Sequence, residues 1–200
     1  MEKSFDHLPI RFGAYTISEM REAYIDDLVK ISEISVGKGY FNHAYFEDYL
    51  TNENKWSLIC LQDDKPVGFS LLENTSVENF VAGIQKYGVQ IRKLLAKKNQ
   101  LIIRRVTAVH PEHRGNGLAS HMVKQAVNVA DKGADAMLSI AWKSKRGIHI
   151  KTPLESNGFK PILFMPSFYY ARSVARSFKC PQCGEPPCQC DAVLYINELG

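Results

Sequence analysis

The chain has 200 residues, and with 45% hydrophobic and 23% charged residues it has the composition of a folded domain with one sizeable core. No apolar run approaches the ~20 residues of a membrane helix, and the opening residues 1–13 lack a signal-peptide segment, so no membrane association is expected and a cytoplasmic location is the default. A net charge of +4, from 25 Lys and Arg against 21 Asp and Glu, does not by itself imply a nucleic-acid partner.

Thr16 and Glu19 have the spacing of a capping box. Met20, Tyr24, Leu28 and Ile31 follow at helical intervals, so a helical region is predicted over 17–35. Asn42 is placed to cap a second helix ending near Leu50. Lys55–Leu61 and Val67–Leu72 read as a hairpin around Asp63-Asp64-Lys65-Pro66. Thr75 and Glu78 suggest another cap. Phe80, Ile84, Tyr87, Ile91 and Leu94 then mark one helical face, which predicts a helical insertion over 76–98 weakened by Gly83 and Gly88. Leu101–Val109 is the strongest strand signal. After a glycine-bearing connector, Leu118, Met122, Ala126 and Val129 define a helix stopped at Gly133. Ala136–Ala141 reads as a buried strand and Ile148–Ser156 as a short helix. Phe159–Phe164 and Val193–Ile196 are the last two strands. The pattern is one domain over 1–200 of the α/β (α+β) class.

The chemistry concentrates where the strand 101–109 runs through Arg114-Gly115-Asn116-Gly117-Leu118-Ala119 into a helix. The first N–H groups of a helix have no intrahelical acceptor and can face an anion. Gly115 and Gly117 permit close approach, and Arg114 adds positive charge. These features suggest a pyrophosphate cradle. The loop lacks the Gly-Lys-Ser/Thr ending of a Walker motif, and its glycines do not follow Gly-x-Gly-x-x-Gly.

Arg114-x-x-Gly117-x-Ala119 instead resembles the coenzyme A signature of the GCN5-related N-acetyltransferase (GNAT) superfamily. The approach Val109-His-Pro-Glu-His113 and the later Asn157-Gly158-Phe159 are similar to that family's pattern, as is the element order from about 11 to 170. The resemblance implies a mixed, splayed central sheet flanked by helices. It also implies acetyl-CoA as cosubstrate, with Thr107, Ala108 and Val109 along its pantetheine arm and Arg114–Ala119 at its pyrophosphate. It further implies direct attack of an amine on the thioester, without a covalent enzyme intermediate.

Three positions depart from the family pattern. Arg105 stands where an acid is common on the fourth strand, Leu154 where a tyrosine protonates the thiolate, and Gly147 where an asparagine is usual. His149 is either a proton carrier or a helix-surface histidine. Tyr169 and Tyr170 are either proton donors to the thiolate or aromatic packing on the late strand. Glu112 and His113 fit loop support, and Ser144 fits a hydrogen-bonding role near the end of the fifth strand.

Four of the five cysteines form Cys180-x2-Cys183-x4-Cys188-x-Cys190 between the last two strands. Four thiolates satisfy tetrahedral zinc with no open position, which predicts a structural Zn2+ knuckle over 180–190; disulfides, free thiols and an iron–sulfur centre are the alternatives. Such a knuckle either pins a long hairpin, shapes an acceptor pocket or docks a partner. Cys60, in an apolar strand, reads as a small buried hydrophobe.

Residues 142–179 carry a local +7, either a solvated face or an attractor of phosphate. The leading expectation is therefore an acetyl-CoA-dependent N-acetyltransferase. The alternatives are a nucleic-acid-binding or nucleic-acid-modifying protein on the same fold, with 142–179 as its contact, and a catalytically weak CoA-binding protein. The acceptor and the oligomeric state stay open.

Overall fold

Apolar side chains dominate both faces of Lys55–Gln62 and Leu101–Arg104, the pattern of strands covered by helices above and below. The computed structural model describes residues 8–130 and 133–199; residues 1–7, part of the segment read for a signal peptide, lie outside them. The chain runs β1 (Ile10–Phe12), β2 (Tyr15–Glu19), α1 (Ile25–Ser35), α2 (His43–Thr51), β3 (Lys55–Gln62) and β4 (Lys65–Ser76). Two short helices, α3 (Val77–Ala82) and α4 (Gly88–Leu94), precede β5 (Gln100–Val109), α5 (Leu118–Ala130) and β6 (Ala136–Ser144). The remainder is β7 (Gly147–Ile148), α6 (Lys151–Glu155), β8 (Lys160–Met165), α7 (Tyr170–Arg176) and β9 (Asp191–Glu198).

Among the described residues the sheet order is β1-β2-β3-β4-β5-β6-β9-β8, with β7 on β6. All pairs are antiparallel except β5 and β6, which are parallel only from Leu101 opposite Ala136 to Arg104 opposite Ser139. Beyond Arg104 the two strands part. Between the pairs Leu72–Arg104 and Leu71–Val106, Arg105 is an extra residue, a bulge that bends β5 at this fork. On one side of the sheet α5 buries Leu118, Met122, Val123 and Ala126 against Ile102 and Val109. Each such aliphatic side chain contributes roughly 2 kcal/mol when fully buried. On the other side α1 and α2 cover Ile59, Phe69 and Ala108 with Ile25, Leu28 and Phe46.

Two expected boundaries differ. Residues 15–19 are a strand, with Thr16 opposite Leu61, and the helix starts only after a single 3-10 turn at Glu22–Tyr24. Thr16 and Glu19 therefore cap nothing, because pairing with β3 overrides the local spacing. The cap of α3 is Ser76, whose side chain accepts from the Asn79 N–H at 3.2 Å, rather than Thr75. Gly83 and Gly88 split the 76–98 segment into two helices, and its last apolar contact is buried Leu95 while Leu94 is exposed.

Candidate functional site

The parting of β5 from β6 opens a cavity of about 510 Å3, within the ordinary range for small-ligand sites. Its floor is Arg104–Val109 of β5 facing Ile140–Trp142 of β6. The β5 edge beyond Arg104 has no strand partner on that side, so its backbone is available to a ligand. One wall is the loop and helix start at Arg114, Gly115 and Gly117–Ser120. The first backbone bond of α5 runs from His121 N–H to Gly117 O at 3.0 Å, which leaves the N–H groups of Leu118, Ala119 and Ser120 ahead of the helical ladder.

Gly115 (φ +83°) and Gly117 (φ +74°) both hold backbone that L side chains rarely adopt. A Cβ at Gly115 would meet no protein atom within 4 Å, and one at Gly117 only Phe12 at 3.7 Å. Protein packing therefore does not demand these glycines; the left-handed backbone does, and it leaves the loop's cavity side without side chains. Asn116 points away from the cavity and braces the turn, donating to His113 O (3.0 Å) and Tyr15 Oη (3.3 Å). His113 Nδ1 also lies 3.4 Å from Tyr15 Oη, consistent with loop support. Arg114 folds back, donating to Val109 O and Ser35 Oγ, each at 3.0 Å. Its guanidinium thereby ties the end of α1 to the end of β5 as well as adding charge to the wall.

Of the expected proton carriers, His149 sits exposed at the cavity rim, its Nε2 3.0 Å from Ser144 Oγ and its ring beside Trp142. Tyr169 lines the cavity, and burial pushes its phenol well above the ordinary value, so it stays protonated. Tyr170 does not join them. It opens α7 rather than lying on a strand, is 51% exposed, and stands off the cavity lining. Leu154, at the family's tyrosine position, is wholly buried in the α5 core.

The sequence reading did not single out Arg104 or Glu73. Arg104 is 2% exposed and reaches into the fork, donating to Ser139 Oγ (3.1 and 2.5 Å) and Thr107 Oγ1 (2.7 Å). Desolvation lowers its pKa to about 10, so it remains charged at neutral pH, and its partners among the described residues are hydroxyls. Arg105 is engaged by Glu73 of β4 at 2.7 Å, so the acid beside the fork comes from the neighbouring strand and is already paired.

At the opposite wall stand Phe178, Cys180, Pro181, Gln182 and Cys188. The sulfur-to-sulfur distances are 3.9 Å for Cys180–Cys190, 3.4 Å for Cys183–Cys190 and 3.8 Å for Cys188–Cys183, and all four sulfurs lie within 4.8 Å of one another. Tetrahedral zinc with Zn–S near 2.3 Å implies sulfurs ~3.8 Å apart, so the cluster fits such an ion. A disulfide needs ~2 Å, and all five cysteines are free thiols. Gly184 (φ +80°) makes the turn, with Cys180 and Gly184 exchanging backbone bonds of 2.9 and 2.8 Å. Burial keeps the Cys190 thiol up at about 12, so metal entry must displace protons. Cys60 is fully buried in β3, and burial likewise raises its thiol to about 12.

Three cations of the basic segment are engaged within the fold. Lys143 pairs with Asp191, Lys179 with Glu185, and Arg172 donates to Gly83 O. No helix among the described residues is long and apolar enough to cross a membrane.

The profile of the Acetyltransferase (GNAT) family matches residues 17–143. No curated protein sequence matches the chain significantly. Among solved structures, the chain is similar to Arabidopsis thaliana NAA60 in complex with acetyl-CoA, with TM-score 0.68, 11% identity, and 92% of this chain and 98% of that one covered. It is also similar to the ribosomal-protein-S18-alanine N-acetyltransferase from Escherichia coli, at TM-score 0.62, 13% identity and 93% and 94% coverage. A chain of the NatC complex bound to Gag peptide and CoA gives TM-score 0.65, 13% identity and 93% and 99% coverage.

Proposed function

This chain is a member of the GNAT acetyltransferase family, and from that premise we propose that it is an acetyl-CoA-dependent N-acetyltransferase acting on an amine in a ternary complex. The observation that carries the reading is one cavity bounded by both an anion-ready helix start and an unpaired strand edge. The N–H groups from Gly115 to Ala119 receive the pyrophosphate, and Thr107, Ala108 and Val109 run beside the pantetheine arm. The thioester then lies at the fork, above Arg104.

The acceptor enters as an ammonium ion and must first lose a proton. His149, at the rim and bonded to Ser144, is placed to pass that proton to solvent. The amine lone pair then forms the C–N bond to the thioester carbon. Backbone donors on the free β5 edge stabilise the oxyanion. As the C–S bond breaks, the leaving thiolate takes the electron pair, and the former amine nitrogen releases its second proton to solvent, from which the thiolate is reprotonated to free CoA thiol. With Leu154 in place of the family's tyrosine, the Tyr169 phenol donates a hydrogen bond to that thiolate and the Arg104 guanidinium offsets its charge. A phenol held this high transfers its proton poorly to a thiolate, so its role is electrostatic. Tyr170 has no part. Cys180, Cys183, Cys188 and Cys190 would hold one structural Zn2+, which would cross-link the hairpin and offer no open site for catalysis.

Calorimetric titration with acetyl-CoA, followed by release of free CoA thiol in the presence of primary amines, polyamines and peptides with free N-termini, tests the reading. Saturable acetyl-CoA binding and amine-dependent thiol release are expected. A folded protein that binds no acetyl-CoA would overturn it.

A further inference from the structure

The cysteine cluster is built into the cavity rather than appended to the fold. The chain between β8 and β9 leaves α7 through Ser177 (φ +51°), buries Phe178 and enters the knuckle at Cys180. Phe178 packs edge-on against Tyr40 at 4.7 Å, and Tyr40 in turn against Phe41 at 4.7 Å. The Lys179 N–H donates to Lys38 O at 2.9 Å, a backbone bridge that joins the knuckle to the α1–α2 connection. The approach is close enough that a Cβ at Gly37 would lie 2.5 Å from Lys179 O. From below, the Ser173 hydroxyl of α7 accepts from the Cys188 N–H at 2.7 Å. Tyr169 and Trp142 pack on the cluster while also facing the cavity.

The site thus has two halves with different supports. The phosphate loop stands on β5 and α5, in the largest apolar cluster. The facing half consists of Tyr40 and Phe41 on one side, with Phe41 rooted in the α1–α2 cluster, and Phe178, Cys180 and Cys188 on the other, which rest on the four sulfurs, Trp142 and Tyr169; Tyr40 touches both groups. Without a cross-link, Cys180–Cys190 is a segment with one tight turn and few backbone bonds to hold it. With four ligands engaged, its backbone is fixed at four points, and Phe178 and Lys179 are fixed with it.

We infer that metal binding at Cys180, Cys183, Cys188 and Cys190 builds the wall of the acceptor half, so that the order of residues 36–41 depends on the metal while the acetyl-CoA half does not. The inference rests on the acetyltransferase reading for which half receives which substrate. The aromatic wall receives the body of the acceptor, and the metal sets whether that wall exists. Regulation by metal supply would then act through acceptor recognition and leave the cofactor in place.

Hydrogen exchange read by mass spectrometry tests this on the full chain in three forms: zinc-loaded with one Zn2+ per chain by elemental analysis, stripped by chelator, and Cys183→Ser, chosen because Cys183 is the exposed ligand. In the last two, exchange at 36–41 and 177–190 should accelerate by about tenfold or more. Exchange at 109–120 and the acetyl-CoA dissociation constant should stay within about twofold. Phe178→Ala should loosen 36–41 with zinc still bound, which separates loss of the wall from general misfolding. Equal exchange at 36–41 in loaded and stripped protein, or failure to load zinc at all, overturns the inference and leaves acetyl-CoA binding untouched. Absence of acetyl-CoA binding in every form overturns the acetyltransferase reading, whatever the exchange pattern.

Discussion

Arg104 donates from Nε and Nη2 to the hydroxyl of Ser139, at 3.1 and 2.5 Å, across the last rung that joins β5 to β6. A buried guanidinium whose partners are hydroxyls is costly. Its pKa falls from 12.5 to about 10, which corresponds to ~3 kcal/mol by the usual conversion. Removing a buried charge that has no acid against it recovers its desolvation cost, offset in part by the hydrogen bonds that the Ser139 and Thr107 hydroxyls lose. Arg104→Met should therefore keep or raise the thermal midpoint while lowering kcat on the amine acceptor by tenfold or more, about 1.4 kcal/mol of transition-state stabilisation. Thermal denaturation and steady-state kinetics on one preparation check it. A variant that loses stability and keeps kcat would show Arg104 to be a structural strut.

Gly117 holds φ +74°, and a Cβ there would meet only Phe12, at an ordinary contact distance of 3.7 Å. A non-glycine residue there costs roughly 1–2 kcal/mol of backbone strain, which a domain of this size tolerates. Gly117→Val should remain folded by circular dichroism and lose acetyl-CoA affinity by tenfold or more in calorimetry. Retained affinity in a folded variant would move the phosphates off this loop.

The strand–loop–helix unit and the cysteine spacing were legible because their chemistry is local. A helix start offers N–H groups whatever surrounds it, and four thiols within eleven residues meet through one turn. What escaped depends on distant partners. Thr16 and Glu19 lie in a strand only because Leu61 and Leu58 lie opposite, while their own spacing imitates a helix cap. Arg104 and Arg105 are neighbours in an apolar run, and only the bulge sends one into the fork and the other to Glu73. The aromatic wall joins Tyr40 to Phe178, which no local periodicity relates. Tyr169 and Tyr170 are indistinguishable by type, and a helix start between β8 and β9 turns only the first inward.

That last difference separates two otherwise equivalent substitutions. Tyr169 faces the cavity with its phenol held protonated, whereas Tyr170 is half-exposed on α7. Tyr169→Phe should lower kcat by roughly ten- to hundredfold, the worth of one hydrogen bond to a charged group, with acetyl-CoA affinity unchanged. Tyr170→Phe should leave both unchanged. The reverse ranking would remove Tyr169 from the thiolate.

Asp135 links the start of β5 to the approach of β6: its Oδ2 accepts from the N–H groups of Asn99 at 2.6 Å and Gln100 at 3.0 Å. Those two bonds favour the carboxylate and hold it below the ordinary value of 3.8. Its folded pKa lies under its unfolded one, so the unfolded chain binds the proton first as pH falls. The stability it confers is complete above the unfolded pKa and is lost as pH drops through the folded value. Asp135→Asn keeps the shape and one acceptor oxygen but removes the charge. The variant should be less stable than the parent at pH 7 in urea denaturation, and the gap should narrow below pH 4. A gap that stays constant from pH 7 to pH 3 would show that the two N–H groups gain nothing from the charge.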